Sequence, residues 1–583
     1  TGEWDAWWHL AIGRAAVEQG TRLSTDIFSY SFAGAPWGHK DLVADVLLYV
    51  GFEAVWHAVV GILKAFVVVA AALSVLFAMP RAGRHPALAV LLTGVAVCAL
   101  QYRFSERPIL FSLALFPLLV ALLERLRSSL LRADPRPAAA ALPSALLLAV
   151  WAQLHREVLV GVALAVLALA WMWLALACPK GKAVFVFGKG AKARSLAVAT
   201  AVVVCGCALC AATPSGLHLV ASSVGVAKND MLRRLITDWV EIGPRELLID
   251  FPVTTALVIS ASSAWAARFI RARRMREENP PVTALHGAVL FSFLALTLSD
   301  SVRWVPMLSS YAALVLAVIV GDAAAIPGRL GRLGSTRAKL VSTAVAGIAV
   351  LALVAARNDF GRGLGPMPDR FPEGAMRFAR EHDLGGKAFN SFHLGGYAIW
   401  AGYPKIRVLV DGRNDLVYPA KFIVAASRAS DDPEVFAALL KKHGGDFVLA
   451  SNLAGHLGFT FLSRDPEWME VYWSEAAVIY VRRSEHRELA DLAFRFVDPR
   501  AVDVSIAEAV RRFGSDAEAM ARLEREVLRM REASPEGLRA NTAAALFYHL
   551  RGPAFVRQRD AALGVLRDRH SDVPAVRELF RRL

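Results

Sequence analysis

Ten apolar runs dominate the first 356 residues: 57–79, 86–101, 108–124, 138–154, 157–177, 195–213, 250–268, 282–299, 304–322 and 338–356. Most are close to the ~20 residues that a helix needs to cross a bilayer. Lipid offers no partner to a backbone N–H or C=O, so a spanning segment must satisfy its own, and each run reads as a helix. The runs 86–101 and 138–154 are short enough to read as partly re-entrant. Composition agrees, with 56% hydrophobic and 20% charged residues. A soluble domain has roughly half apolar and a quarter charged residues. Disorder and a purely soluble enzyme are both excluded.

The formal net charge of +15 would suggest nucleic acid in a soluble protein. Its distribution says otherwise. Loop arginines and lysines concentrate after alternate runs, most densely at Lys180 to Arg194 and Arg268 to Arg276. The short loops between them carry only Arg103, Arg107, Arg156 and Arg303. The positive-inside rule places the basic loops in the cytoplasm, so the charge reports topology and no nucleic-acid partner is expected. With an even number of runs, residues 1–40, the longer loop 214–249 and everything after 356 fall together on the extracytoplasmic face.

Four regions follow. Residues 1–56 form a first outer loop with interfacial helices, the second at 41–56. Residues 57–356 form the transmembrane core. Residues 357–490 alternate helices with short apolar strands, read at Lys387–Phe392, Tyr397–Trp400, Arg407–Val410, Phe447–Ala450 and Ala476–Val481, which predicts an α/β domain. Residues 491–583 read as a helical, repeat-like tail broken at Ser534-Pro535 and Gly552-Pro553. Cys205, Cys207 and Cys210 have the look of a ligand set, but their run is mostly Ala and Val without a nearby His, which favours packing over metal.

The chemistry gathers on the outer face. Asp5-Ala6-Trp7-Trp8-His9-Leu10 is followed by Asp26-Ile27-Phe28-Ser29 and Trp37-Gly38-His39-Lys40-Asp41. A carboxylate at the edge of the bilayer can orient an acceptor hydroxyl or take its proton, and Trp7 and Trp8 can stack on sugars. Equally, aromatic residues anchor membrane interfaces, and Asp5 could cap a helix that begins near Ala6. Both readings stay open on the residues alone. His155, Arg156 and Arg303, at outer helix junctions, suit a lipid phosphate or simple contact with water. Asp238 suits a second carboxylate or a metal ligand. Arg413, after Asp411-Gly412, suits a substrate contact or a turn.

These segments resemble the first outer loop of integral-membrane GT-C glycosyltransferases. They are more similar still to a bacterial group with an Asp-x-Trp-Trp-His-Leu…Asp-x-Phe-Ser…Trp…His-x-x-Leu pattern, the last element being His39-Lys40-Asp41-Leu42 here. Trp151-Ala152-Gln153-Leu154-His155, Ile236-Thr237-Asp238-Trp239, Gly395-Gly396-Tyr397 and Val410-Asp411-Gly412-Arg413 resemble further elements of that group. The chain departs from many GT-C enzymes in separating Glu3 from Asp5 by Trp4.

The resemblance implies a polytopic α-helical, GT-C-like membrane protein with a C-terminal extracytoplasmic α/β domain and a helical tail. It implies Asp5 as the catalytic base, and Trp7, Trp8, His9, Asp26, His39, Lys40, His155, Arg156, Asp238, Arg303 and Arg413 as substrate-binding residues. It implies a polyprenyl-phosphate sugar donor, a glycan, lipid or protein acceptor, and a bacterial inner membrane. No cofactor is required by the residues, and a divalent metal, Mg or Mn, stays open. The abrupt start at Thr1 reads as a missing upstream helix, which would complete an eleven-helix core. Two rivals remain: a non-catalytic scaffold of envelope glycan assembly, and a lipid or glycan transporter, which would need mid-span ionisable residues and internal repeats.

Overall fold

A computed structural model describes residues 3–20, 23–37, 41–56, 58–79, 85–132, 134–177, 193–212, 240–275, 277, 280–324, 341, 343–345, 347–348, 367, 369–499 and 501–582. The chain divides into two compact units, Gly38–Leu364 and Thr1–Trp37 with Gly365–Leu583. The first 37 residues thus belong with the C-terminal unit, to which they contribute helix α1 (Asp5–Gln19).

The helical unit opens with α2 (Leu42–Val55), α3 (Ala58–Ala78), α4 (Pro86–Leu100), α5 (Ile109–Leu131) and α6 (Pro137–Leu154). It continues with α7 (Val158–Ala177), α8 (Ala193–Leu209), α9 (Pro244–Asp250), α10 (Pro252–Arg274), α11 (Ala284–Ser299) and α12 (Val305–Ala324). Prolines open α4, α6, α9 and α10, where the missing N–H costs nothing. Among the described residues eight of these helices are long and apolar enough to cross a membrane, and α11 is a shorter apolar one. Both runs read as short are among the eight: α6 reaches 18 residues, and α4 does so with the turn that continues it to Arg103. Of the tenth run, 338–356, only residues 341, 343–345, 347 and 348 are described, and these are helical.

Helices α5 and α12 are the centre of the unit, 72% and 78% buried, whereas α8 and α10 lie outside at 28% and 22%. Large apolar side chains face outward around the perimeter, among them Ile62, Val69, Leu146, Leu167, Val204 and Ile259. Water would penalise such a surface and lipid does not. This is the construction of a multi-pass membrane protein.

The second unit is built on a mixed sheet in the order β2-β1-β3-β6-β5. After α13 (Glu373–Glu381) come β1 (Gly386–Asn390), α14 (Gly395–Gly402), β2 (Ile406–Val408), α15 (Ala420–Arg428), α16 (Pro433–His443) and β3 (Phe447–Leu453). Strand β4 (His456–Leu457) pairs only with β3, and β5 (Trp468–Trp473) and β6 (Ala477–Arg482) complete the sheet. Strands β2, β1 and β3 run parallel; β6 and β5 are antiparallel additions. Residues 28–30 of the N-terminal segment extend the β2 edge, with Tyr30 N donating to Val408 O at 3.0 Å and Val408 N to Phe28 O at 3.2 Å.

Tyr397–Trp400, read as a strand, is helical, and β5 was not foreseen. A four-residue apolar run cannot by itself distinguish a buried strand from a buried helix. In β5 all six residues are buried, including Glu470, whose charge breaks the expected apolar pattern.

The tail is helical throughout: α17 (Val502–Phe513), α18 (Ala517–Ala533), α19 (Leu538–Leu550), α20 (Val556–His570) and α21 (Pro574–Arg582). Arg539 locks it to the sheet. Its guanidinium reaches Glu475 Oε2 at 2.8 Å, Glu475 O at 2.9 Å and Asn452 Oδ1 at 2.9 Å, and stands 5.3 Å above the Trp473 ring.

Candidate functional site

Helix α1 starts at Asp5, so Trp4 holds the N-cap position and Asp5 lies in the first turn. Negative charge is favoured there by the unpaired N–H groups of a helix start. The half-buried Asp5 accepts a hydrogen bond from Trp8 Nε1 at 3.1 Å, one turn along. Asp5 therefore does not cap the helix, as one sequence reading allowed.

The other aromatic residues of the segment are spent on packing. Trp7 is 4% exposed and meets Phe371 and Tyr397 edge-on, at 5.3 and 4.8 Å between ring centroids. Trp8 stacks on His9 at 3.6 Å, and both are buried. Arg14, one face further along α1, donates to Trp400 O at 2.8 Å and covers the Trp400 ring. Trp7 and Trp8, the residues expected to stack on sugars, pack α1 against α14, with His9 stacked on Trp8.

Two glycines set the approach. A Cβ on Gly412 would stand 2.4 Å from Asp5 Oδ1 and 2.9 Å from Trp8 Nε1, so any other residue here would have to displace the carboxylate. A Cβ on Gly395 would stand 2.2 Å from Val410 O, so α14 begins directly against the same turn. The segments beginning at Asp5, Gly395 and Val410, far apart in sequence, thus meet at one place.

The fourth segment joins them through Arg413. Its side chain has no exposure. Nε and Nη2 grip Asp411 at 2.8 and 2.7 Å, and Nη1 reaches Asp26 Oδ1 at 2.6 Å. Asp26 also accepts from Phe28 N at 3.0 Å and from the Ser29 hydroxyl. Tyr418 completes the network, its hydroxyl donating to Asp411 Oδ2 at 2.6 Å. The guanidinium sits 5.2 Å from the Phe28 ring and 5.0 Å from the Trp37 ring. Burial alone would push the Arg413 group down, but Asp411, Tyr418 and Asp26 hold it well above its ordinary value. Burial, reinforced by Asp411, pushes the Tyr418 phenol well up. Asp26 and Arg413, both expected to contact substrate, are each other's partners in this structure.

His393 packs against Trp4, the N-cap residue of α1. Its ring lies 4.9 Å from that of Trp4, and its Nε2 is 2.9 Å from the Ser451 hydroxyl. Burial, with His456 and Arg370 adding repulsion, pushes its imidazole down to about 4, so it is neutral at ordinary pH. Neither His393 nor Ser451 was singled out from sequence; no motif surrounds them, and the contact joins the ends of β1 and β3.

In the helical unit, described by itself, His155 Nδ1 is 2.7 Å from the Ser112 hydroxyl, which also accepts from Trp151 Nε1 at 2.9 Å. Glu157 Oε2 lies 3.8 Å from His155, and Glu157 Oε1 lies 3.5 Å from Arg303. Arg156 is half-buried between His155 and Glu157 in sequence. Ser112 and Glu157 were also missed, Ser112 because it hides in the apolar run of α5. His39, Lys40 and Asp238 lie outside the described residues. Among the described residues no three His, Cys, Asp or Glu side chains are gathered as a metal ion would need, so a divalent cation finds no ligand set there.

No protein-family model matches the sequence, and no curated protein matches it. The structure is similar to the crystal structure of the Archaeoglobus fulgidus oligosaccharyltransferase in the apo form, with a TM-score of 0.51 and 12% identity over 77% of this chain and 66% of that one. A second crystal structure of that enzyme, tethered to an acceptor peptide, gives a TM-score of 0.47 and 13% identity over 77% and 65%. The chain spans just under two thirds of the archaeal protein's length. At this identity the likeness is one of architecture. Apolar helices, mixed α/β sheet and helical tail together make an oligosaccharyltransferase-like GT-C fold.

Proposed function

We propose that the chain is a membrane glycosyltransferase that moves a sugar from a polyprenyl-phosphate donor to an acceptor on the extracytoplasmic face of a bacterial inner membrane. The observation that carries this reading is the GT-C fold, matched over 77% of the chain. The neighbouring structure is that of an oligosaccharyltransferase. The placement of Asp5 adds support, since its carboxylate is half-buried in a helix first turn and held by a single-donor indole. In the proposed step the acceptor hydroxyl attacks the anomeric carbon as the C–O bond to phosphate breaks. The acceptor's proton passes to Asp5, and polyprenyl phosphate leaves with inversion. His155, Arg156 and Arg303 are the proposed ligands of the lipid phosphate, where the two guanidinium charges offset the charge that develops on the leaving group. The acceptor is a glycan, a lipid or a protein. Membership of the bacterial group with the Asp-x-Trp-Trp-His-Leu loop is part of the same proposal.

One observation favours a second reading, a non-catalytic scaffold of envelope glycan assembly: Asp26, Asp411 and Arg413 are consumed by the fold itself. One experiment separates the two. The protein is reconstituted in proteoliposomes with radiolabelled polyprenyl-phosphate sugars, and label transfer is followed for wild type and Asp5→Asn. Loss of a general base costs typically 10²–10⁴-fold. The enzyme reading expects a fall of about that size with folding intact. Transfer unchanged in the variant would remove Asp5 from the chemistry. Absence of transfer in wild type with every donor tested would favour the scaffold.

A further inference from the structure

The helical unit has a second polar centre, at the ends of α3, α5 and α12 where the basic loops begin. Arg127 grips Glu124 through Nε at 3.0 and 3.1 Å and donates to Pro281 O at 3.2 Å. His286 Nε2 of α11 approaches the same carboxylate at 3.5 Å. Two cavities adjoin this centre and share Ala78, Glu124, Arg127 and Val318 in their walls. The inner one, ≈ 50 Å³, is apolar and reaches between Leu164, Met172 and Leu314. The outer one, ≈ 370 Å³, is bounded by Phe77, Arg125, Ser128, Arg132 and Asp322.

The charges around the outer cavity do not cancel. Glu124 is taken by Arg127, and Asp322 by Arg268 at 3.0 Å. Arg125 stands 4.7 Å over the Phe77 ring, and Arg132 is exposed. Among the described residues neither makes a direct ion pair, although Asp134 lies within the field of Arg132. A basic mouth of this size, opening on an apolar recess at the ends of α3, α5 and α12 where the basic loops begin, fits a ligand with an anionic head and an aliphatic body. We propose that this cavity binds an anionic glycerophospholipid of the leaflet on the basic-loop side. Its phosphate lies with Arg125, Arg132 and Ser128, and part of one acyl chain enters the recess. A free phosphate would leave the recess unused, and a zwitterionic head would bring its own cation against two arginines. This is a structural lipid site, separate from the residues proposed for sugar transfer.

The test is native mass spectrometry of the full chain released from nanodiscs of phosphatidylglycerol and phosphatidylcholine in equal amounts. Wild type is expected to retain one phosphatidylglycerol, undisturbed by millimolar inorganic phosphate. Arg125→Glu with Arg132→Glu should weaken retention at least tenfold. Arg271→Glu, exposed on α10 and outside the cavity, should leave it unchanged. Val318→Trp, which fills the shared wall, should weaken it without altering charge. If that variant does not fold, the arginine pair decides alone. Equal retention by the arginine variants overturns the proposal. So does equal loss in Arg271→Glu, which would mean attraction by the whole basic face. Displacement by phosphate would leave only an anion site and overturns it too.

Discussion

Arg413 divides its guanidinium between a carboxylate two residues away and one 387 residues away. Removing it would strand two buried carboxylates in a medium that cannot solvate them. Arg413→Met is therefore expected to lower the stability of the C-terminal unit by about 3–5 kcal/mol, read from the urea midpoint of the full chain in detergent. Arg413→Lys keeps the charge but loses the fork, so it should recover only part of that loss. Sequence inspection rightly singled out Asp26 and Arg413 as unusual. Their pairing was not legible, because Asp26 and Arg413 lie 387 residues apart and spacing carries no information about such a contact. Asp5 is the opposite case. That a helix begins beside it was legible in the pattern, whereas its place inside the first turn and the Gly412 backbone pressed against it were not.

Helix α14 shows why elements were harder to read than residues. Tyr397–Trp400 is apolar throughout because α1, β2 and α13 surround it, and such a run has no periodicity to betray a helix. Its start is dictated by close approach to the turn after β2. Gly395→Ala would drive a methyl group into Val410 O, and overpacking of this kind costs about 1–3 kcal/mol. The expected result is a lower melting temperature and weakened Trp8 burial, seen as a red-shifted tryptophan emission, while the helical unit's far-ultraviolet signal is kept. The membrane helices were far easier to find, because length and apolarity are local properties that the bilayer requires of each segment separately.

At the scale of the whole molecule, the N-terminal 37 residues complete a unit whose remainder begins at Gly365. They supply α1, the extra edge of the sheet and the Asp26 partner of Arg413. A fragment of residues 365–583 is therefore expected to be poorly folded alone, with exposed aromatic residues that bind a hydrophobic dye. Adding a peptide of residues 3–37 should restore cooperative unfolding; a fragment already cooperative without it would contradict this account. The sequence by itself determined the membrane-spanning helices, the existence of an α/β part and the helical tail, because each follows from patterns within ten to twenty residues. The tertiary structure alone decided that the first loop folds into the C-terminal unit, that four motifs converge on one glycine turn, and that most of their charged and aromatic residues serve one another. The physical reason is that a buried charge or ring must find a partner somewhere, and only the folded chain says which one it finds.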